Sequence, residues 1–189
     1  MIRFLIMSLD RARRASAARG FTLTELMVVV TLVGIFATLG IVSFRKQVFG
    51  SKTSEALAVV QAIRAAQEAY RSENQVYLDV TTDSANWYPS NQFGEDRLAW
   101  RVNTHTDLDR WNALNVQVTT PVLFRFLVDA GVPGQAPPAL VMSNPPTLPT
   151  PSDPWYVIQA RADYDEDDTY CDVAAWSQSR EIAVQDEGE

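Results

Sequence analysis

The chain of 189 residues contains one cysteine, one histidine and eight glycines. Because Cys171 stands alone, no internal disulfide can form, and a Cys–His zinc site would need ligands that the chain lacks. The sequence has no glycine-rich phosphate loop and no G-x-S-x-G motif. His105, an isolated histidine near Asp107, is predicted to be a surface residue. These absences leave no set of side chains that would carry an enzyme reaction, so we expect a protein that is not an enzyme.

Charge is distributed unevenly along the chain. Residues 1–20 carry five arginines and one aspartate, a net charge of +4, whereas the remainder carries −11. A basic segment before an apolar run predicts a membrane-targeted protein whose N-terminus stays in the cytoplasm. The acidic remainder would repel a phosphate backbone, so we expect no nucleic acid among its partners.

Residues 26–44 form a run of 19 residues without a charge. A helix of that length spans about 29 Å, the thickness of a hydrocarbon core. An ordinary secretory signal peptide fits poorly because no small-residue cleavage site follows closely, and the nearest, Ala56-Leu57-Ala58, lies inside a helical pattern. A plain single-pass anchor explains the length and the arginines. It gives no reason for Gly20 or for the acidic Glu25 at the start of the run.

The segment from Gly20 to Glu25, "GFTLTE", followed by "LMVVV", resembles the processing site of type IV pilins and pseudopilins. The resemblance implies that a prepilin peptidase removes the basic leader by cleaving between Gly20 and Phe21. It also implies N-methylation of Phe21 and retention of the apolar helix in the mature chain. Glu25 is then expected to be an assembly residue that pairs with a neighbour's N-terminal amine, because each charge is costly alone in a low-dielectric medium.

The same resemblance implies an α+β pilin fold, with one long N-terminal helix packed on a C-terminal antiparallel β-sheet. The expected divisions are a leader, residues 1–20, a helix, residues 21–75, with a transmembrane or filament-core segment at 26–44, and a globular β head, residues 76–189. No proline interrupts the helix. Its second half is predicted to bury one face, because apolar residues recur at steps of three and four. These residues are Ala56, Val59, Val60, Ile63, Ala66 and Tyr70.

The predicted helix has a stripe of small residues and departs from the family pattern at two positions. Thr31, Gly34 and Thr38 lie on one stripe, which indicates either close helix–helix approach or the general abundance of glycine in membrane helices. Val42 stands where many major pilins have proline, which favours an unbroken helix and a minor pilin or pseudopilin. Gln75 replaces the glycine that commonly marks the helix exit in this family, so that exit is less sharply specified.

Short alternating segments predict strands in the head, at 98–102, 114–118, 122–128, 155–162, 170–176 and 181–184. The alternation places Phe124, Phe126 and Val128 on one face, and Cys171 is predicted to be buried. Residues 132–154 hold eight of the ten prolines, which excludes a helix or a central strand there. A solvated loop is the favoured interpretation of this stretch, with a partner-binding segment as the alternative.

Aspartates at alternate positions, Asp163, Asp165 and Asp167, resemble the start of a calcium loop. An EF-hand is excluded because Asp168 and Ala174 occupy the positions that require glycine and glutamate. A looser calcium site remains one interpretation. An acidic turn between two strands is the other, and the sequence favours it. We expect no other cofactor.

The resemblance therefore predicts a structural subunit of a type IV pilus or related filament, with adhesion, motility, protein secretion and DNA uptake as the roles it allows. The subunit would be stored as a single-pass inner-membrane protein and then join a periplasmic or cell-surface filament. Its expected partners are other pilin subunits, the prepilin peptidase and the inner-membrane assembly platform. A type II secretion pseudopilin is the alternative within the family. A membrane-anchored exported binding domain that never polymerises is the alternative from another class.

Overall fold

The computed structural model describes residues 20–164 and 166–187. Its elements are α1 (Leu23–Asn74), α2 (Leu108–Leu114), β1 (Arg125–Gly131), β2 (Trp155–Ala162), β3 (Cys171–Trp176) and β4 (Ile182–Gln185). The four strands form one antiparallel sheet in the order β1-β2-β3-β4. The predicted α+β pilin fold, a long N-terminal helix followed by an antiparallel sheet, is confirmed.

The chain divides into two units, Met1–Ile41 and Val42–Glu189. In the first unit, every residue from Gly20 to Ile41 is exposed. The second unit contains the sheet, the rest of α1 and all the described core residues, the first of which along the chain is Ala56. Because this core lies wholly inside the second unit, we expect residues 42–189 to fold without the apolar segment.

The end of α1 is set by a residue in the left-handed conformation. Gln75 has φ 63°, and its backbone N–H donates to the carbonyl of Arg71 at 2.8 Å. A left-handed residue directly after a helix satisfies a terminal carbonyl and stops the helix, a position that glycine fills most often. The helix begins two residues after, and ends one residue before, the predicted range of 21–75.

Replacing Gln75 with glycine is expected to stabilise the head by about 0.5–1 kcal/mol, because glycine adopts a positive φ without the steric penalty that a Cβ carries. Urea unfolding of residues 42–189 measures the difference. Glu73→Gly is the matched control, since this exposed residue lies inside the helix and glycine there should destabilise by a similar amount. A stability loss in Gln75→Gly would contradict the strained-exit interpretation.

The main core lies between the second half of α1 and the inner face of the sheet. Ala56, Val59, Val60 and Ile63 are buried there, as the helical pattern predicts. The inner face of the sheet contributes residues two apart on each strand: Phe126 and Val128 of β1, Tyr156, Ile158, Ala160 and Ala162 of β2, and Cys171, Val173 and Ala175 of β3. The predicted alternation and the predicted burial of Cys171 are therefore confirmed.

The strands predicted at 98–102 and 114–118 are wrong. In the first, Leu98 forms only an isolated bridge to Val122, and the second begins with Leu114, the last residue of the short helix α2. Trp100, Trp111 and Val116 are nevertheless buried in the main core. The alternation in these segments reflects large side chains that loops insert into the core, without the ladder hydrogen bonds that define a strand.

The outer edge of β1 is covered by the chain that follows α1. The N–H groups of Val80 and Thr81 donate to the carbonyl of Val128 at 3.1 and 2.9 Å, and Tyr88 forms a bridge with Phe126. An uncovered edge strand would be open to pairing with other chains. Residues 80–88 therefore protect this side of the sheet.

Asp129 on β1 has a carboxyl group in an unfavourable position. Burial, reinforced by the nearby negative charge of Asp79, raises the pKa of Asp129 to about 6. Its Oδ2 is buried and has no hydrogen-bond partner among the described residues. Because the folded pKa lies above the unfolded value, the folded state binds the proton more tightly. The contribution of Asp129 to stability is therefore most favourable below about pH 4, and it is lost as the pH rises through 6.

Asp129→Asn is expected to raise the stability of residues 42–189 by about 2 kcal/mol at pH 7 and to change it little at pH 4. Urea unfolding at the two pH values tests this. Glu95→Gln, which neutralises an exposed carboxylate, should leave stability nearly unchanged at both. Equal stability of Asp129→Asn and the parent at pH 7 would show that Asp129 carries no such penalty.

The proline-rich stretch, residues 132–154, contains no helix or strand. It is more than a solvated loop, because Leu140 and Met142 are buried against Trp155, Val157 and Ala174 on the outer face of the sheet. The backbone N–H of Val141 also donates to the side chain of Gln159 at 2.8 Å. The stretch thus forms the cover of that face, which corrects the interpretation as a solvated loop.

Candidate assembly segment

The start of α1 is closed by reciprocal hydrogen bonds between Thr22 and Glu25. The N–H and hydroxyl groups of Thr22 donate to Glu25 Oε2 at 3.1 and 2.9 Å, and the N–H of Glu25 donates to Thr22 Oγ1 at 3.2 Å. This is a capping box, in which threonine and a glutamate three residues later satisfy N–H groups at the helix start. The T-x-x-E spacing before an apolar run could have revealed it from the sequence. Glu25 therefore has a role inside its own chain.

The predicted cleavage site lies just outside the helix. Residues 20–22 precede α1 and are not helical, and Phe21 is 82% exposed. The peptide bond between Gly20 and Phe21 is therefore accessible, as a protease substrate must be. Leader residues 1–19 lie outside the described part of the chain. Cleavage and methylation at this site stay predictions.

The first part of α1 presents an apolar surface on all sides. Leu26, Phe36 and Ile41 are 59, 68 and 59% exposed. Within the described residues, α1 is the one helix long and apolar enough to cross a membrane, with a mean hydropathy of 2.5 over its best 18 residues. An exposed apolar surface of this extent needs lipid or other protein around it.

The small-residue stripe does not pack against its own chain. A Cβ added to Gly34 would meet no atom within 4 Å. The hydroxyls of Thr31 and Thr38 donate to the carbonyls of Met27 and Ile35, both at 2.8 Å. Because these hydroxyls are satisfied within the helix, the stripe can face an apolar environment. Close approach of a second helix along this stripe stays a prediction.

Comparison with known proteins finds similarity in the N-terminal part of the chain. Residues 15–41 match the family model described as the prokaryotic N-terminal methylation motif. Over 65 residues the chain is 43% identical to the type IV major pilin protein PilA of Myxococcus xanthus (strain DK1622). The chain therefore carries the N-terminal methylation motif and is similar to a type IV pilin over part of its length. The alignment covers 34% of the chain and 30% of the Myxococcus protein, so the chain spans less than a third of that relative's length.

The acidic loop between β2 and β3 uses its described carboxylates to hold a turn. Asp163 is buried, and its Oδ1 accepts the N–H of Glu166 at 2.8 Å. The Oδ1 of Asp167 accepts the N–H of Thr169 at 2.7 Å. Asp165 lies outside the described residues. Among the residues that the structure describes, no three histidine, cysteine, aspartate or glutamate side chains are placed to hold a metal ion. These bonds favour the acidic turn, and a calcium site at Asp163, Asp165 and Asp167 stays a prediction.

His105 is not a surface residue as predicted. It is half-buried, and its Nδ1 accepts the backbone N–H of Asp107 at 3.1 Å. Nε2 therefore carries the hydrogen that it donates to the carbonyl of Trp87 at 3.0 Å. Asp107 is itself buried and accepts the hydroxyl of Thr82 and the amide of Asn86, both at 2.7 Å. In the head, His105 and Asp107 therefore hold loop segments together by hydrogen bonds.

Proposed function

We propose that this chain is a structural subunit of a type IV pilus or related filament. The leader is removed after Gly20, Phe21 is N-methylated, and subunits assemble through α1 with Glu25 paired to the N-terminal amine of a neighbour. The observation that supports this function most directly is Glu25 at the start of a helix whose following apolar surface, residues 26–41, is exposed on every side. A filament of packed helices would bury that surface.

The geometry around Glu25 makes the proposed pairing chemically reasonable. Cleavage would create an ammonium group at Phe21, four residues before the carboxylate. Glu25 Oε2 already accepts two hydrogen bonds from Thr22, and a carboxylate can accept further donors on its second oxygen. A neighbour's ammonium would add a charge-assisted bond whose strength increases in an apolar bundle. The pairing would also fix the axial position of an incoming subunit.

The membrane and the assembly machinery would be partners of this chain. Before assembly the apolar part of α1 would hold the subunit in the inner membrane, where the prepilin peptidase cleaves it. The assembly platform would then extract it into a filament with other pilin subunits. A head-to-tail contact of this kind does not close on itself, which is how open filaments form.

Mass spectrometry of the chain recovered from its native host tests the processing. We expect a mature chain that begins at Phe21 and carries one added methyl group. We also expect it in the filament fraction that shearing releases from cells, and cross-links between the α1 segments of two copies. A chain that retains residues 1–20, or one trimmed of its apolar run, would overturn the proposal. A correctly processed chain that never cross-links would indicate an anchored domain that does not polymerise.

A further inference from the structure

Two cations, Arg45 and Lys46, follow the apolar run directly. Both side chains are exposed, and in the described part of the chain neither forms an ion pair. Positive charge at the end of a membrane span favours the cytoplasmic side, yet this pair stands at the opposite end from the leader arginines. We therefore expect Arg45 and Lys46 to bind a partner other than the cytoplasmic membrane surface.

An acidic site lies close to the same level of the helix. Asp186 and Glu187, both exposed, follow the last residue of β4. A Cβ added to Gly50, one helical turn after Lys46, would lie 3.8 Å from Glu187 Oε1. At the other end of β4, the guanidinium of Arg64 donates to the carbonyls of Ser179 at 2.6 Å and Arg180 at 3.1 Å, which joins the β3–β4 turn to α1.

We propose that Arg45 and Lys46 bind the acidic end of β4, Asp186 and Glu187, on a second copy of this chain. The contact continues the helix surface that the filament would bury, and the inference therefore rests on the proposed function. A second copy is the proposed partner because each copy carries both the cationic pair and the acidic site. The mature chain, residues 21–189, carries −11, so copies repel one another unless local cation–anion contacts offset the repulsion.

The charge-reversed variant Arg45→Glu/Lys46→Glu tests the cationic side. We expect normal leader removal and about a tenfold fall in filament-bound protein, since tenfold corresponds to about 1.4 kcal/mol and reversal replaces attraction by repulsion. Arg101→Glu, the same change at an exposed head residue, is the control and should assemble normally. Normal assembly of Arg45→Glu/Lys46→Glu would overturn the inference.

Mixing two defective subunits distinguishes contact between copies from contact within one chain. Glu187→Lys alone is expected to assemble poorly, because the acidic site then loses its net negative charge and presents an ammonium group to Arg45 and Lys46. Glu187 is chosen because Asp186 has a left-handed φ of 54°, where substitution would add strain. Co-expression of Glu187→Lys with Arg45→Glu/Lys46→Glu should restore filaments, since each subunit then offers the charge that the other needs.

Three other outcomes would contradict the inference or the proposed function. Rescue only when all three changes share one chain would indicate an intrachain ion pair and overturn the inference. Failure of both combinations, together with less membrane-held Arg45→Glu/Lys46→Glu protein, would indicate that the cations bind anionic lipid headgroups, which also overturns it. If the parent chain itself is missing from sheared filaments, the proposed function fails, and that result is separate from the charge-reversal comparison.

Discussion

Replacing Glu25 with glutamine or with alanine is expected to leave leader removal unchanged and to reduce the filament-bound fraction of the protein at least about tenfold. Either change leaves the neighbour's N-terminal ammonium without its carboxylate inside an apolar bundle. Leaving a buried charge unpaired costs on the order of 3–5 kcal/mol, more than the roughly 1.4 kcal/mol that separates tenfold differences. Immunoblots of sheared filaments and of membranes from the same cells measure the fraction.

Comparing the two substitutions separates the charge from the helix cap. Glutamine can take the place of glutamate in a capping box, so Glu25→Gln should keep the bonds to the N–H and hydroxyl of Thr22. Glu25→Ala loses both the cap and the charge. If charge pairing drives assembly, the two variants should fail to a similar extent.

Two results would contradict this expectation. Normal filament incorporation of both variants would remove the assembly role of Glu25. Loss confined to Glu25→Ala would indicate that the carboxylate acts by capping its own helix. A capping defect is expected to cost only about 1 kcal/mol. It would also make the start of α1 fray, which amide hydrogen exchange of residues 22–26 would detect.

The parts of the fold that sequence predicts best are those where a long periodic pattern meets an explicit boundary signal. The spacing of Ala56, Val59, Val60 and Ile63 predicts the buried face of α1. Apolar residues at steps of three and four lie on one side of a helix that has 3.6 residues per turn. Alternation at 155–162 likewise gave the bounds of β2 as the structure has them. In both segments local preference and tertiary burial agree.

Other features depend on contacts between residues that are distant in the sequence, and local patterns do not predict such contacts. Trp100, in a loop, and Trp111, in α2, pack edge to face with ring centroids 5.2 Å apart, and the sequence around neither residue indicates this contact. The half-buried position of His105 likewise depends on Trp87, 18 residues away. The capping box, by contrast, is encoded locally, because the T-x-x-E spacing of Thr22 and Glu25 lies within the processing motif itself.

The ion pair between Arg161 on β2 and Asp172 on β3 leads to the largest stability effect that we expect in the head. The two residues face each other in the ladder. Arg161 Nε and Nη2 donate to the two carboxylate oxygens at 2.6 and 2.8 Å. The side chains are 20 and 3% exposed. Nη2 also donates to the carbonyl of Val141 in the proline-rich cover at 2.6 Å.

Arg161→Met is expected to destabilise residues 42–189 by about 3 kcal/mol at pH 7, because it leaves a buried carboxylate without its counter-charge. Burial already raises the pKa of Asp172, and the bonds and charge of Arg161 oppose that rise. Without Arg161 the folded pKa rises further above the unfolded value. The folded state then holds its proton more tightly, so the loss should shrink as the pH falls below the folded pKa and grow as the pH rises through it.

The double variant Arg161→Met/Asp172→Leu distinguishes an unpaired charge from a general packing defect. An apolar pair of similar size removes the buried charge altogether, so we expect most of the stability to return. The remaining deficit should be about 1 kcal/mol, the value of the lost bond to Val141. Urea unfolding of both variants at pH 5 and 7 measures these differences. If the double variant is less stable than Arg161→Met, the cost arises from packing beneath the proline-rich cover and not from the isolated carboxylate.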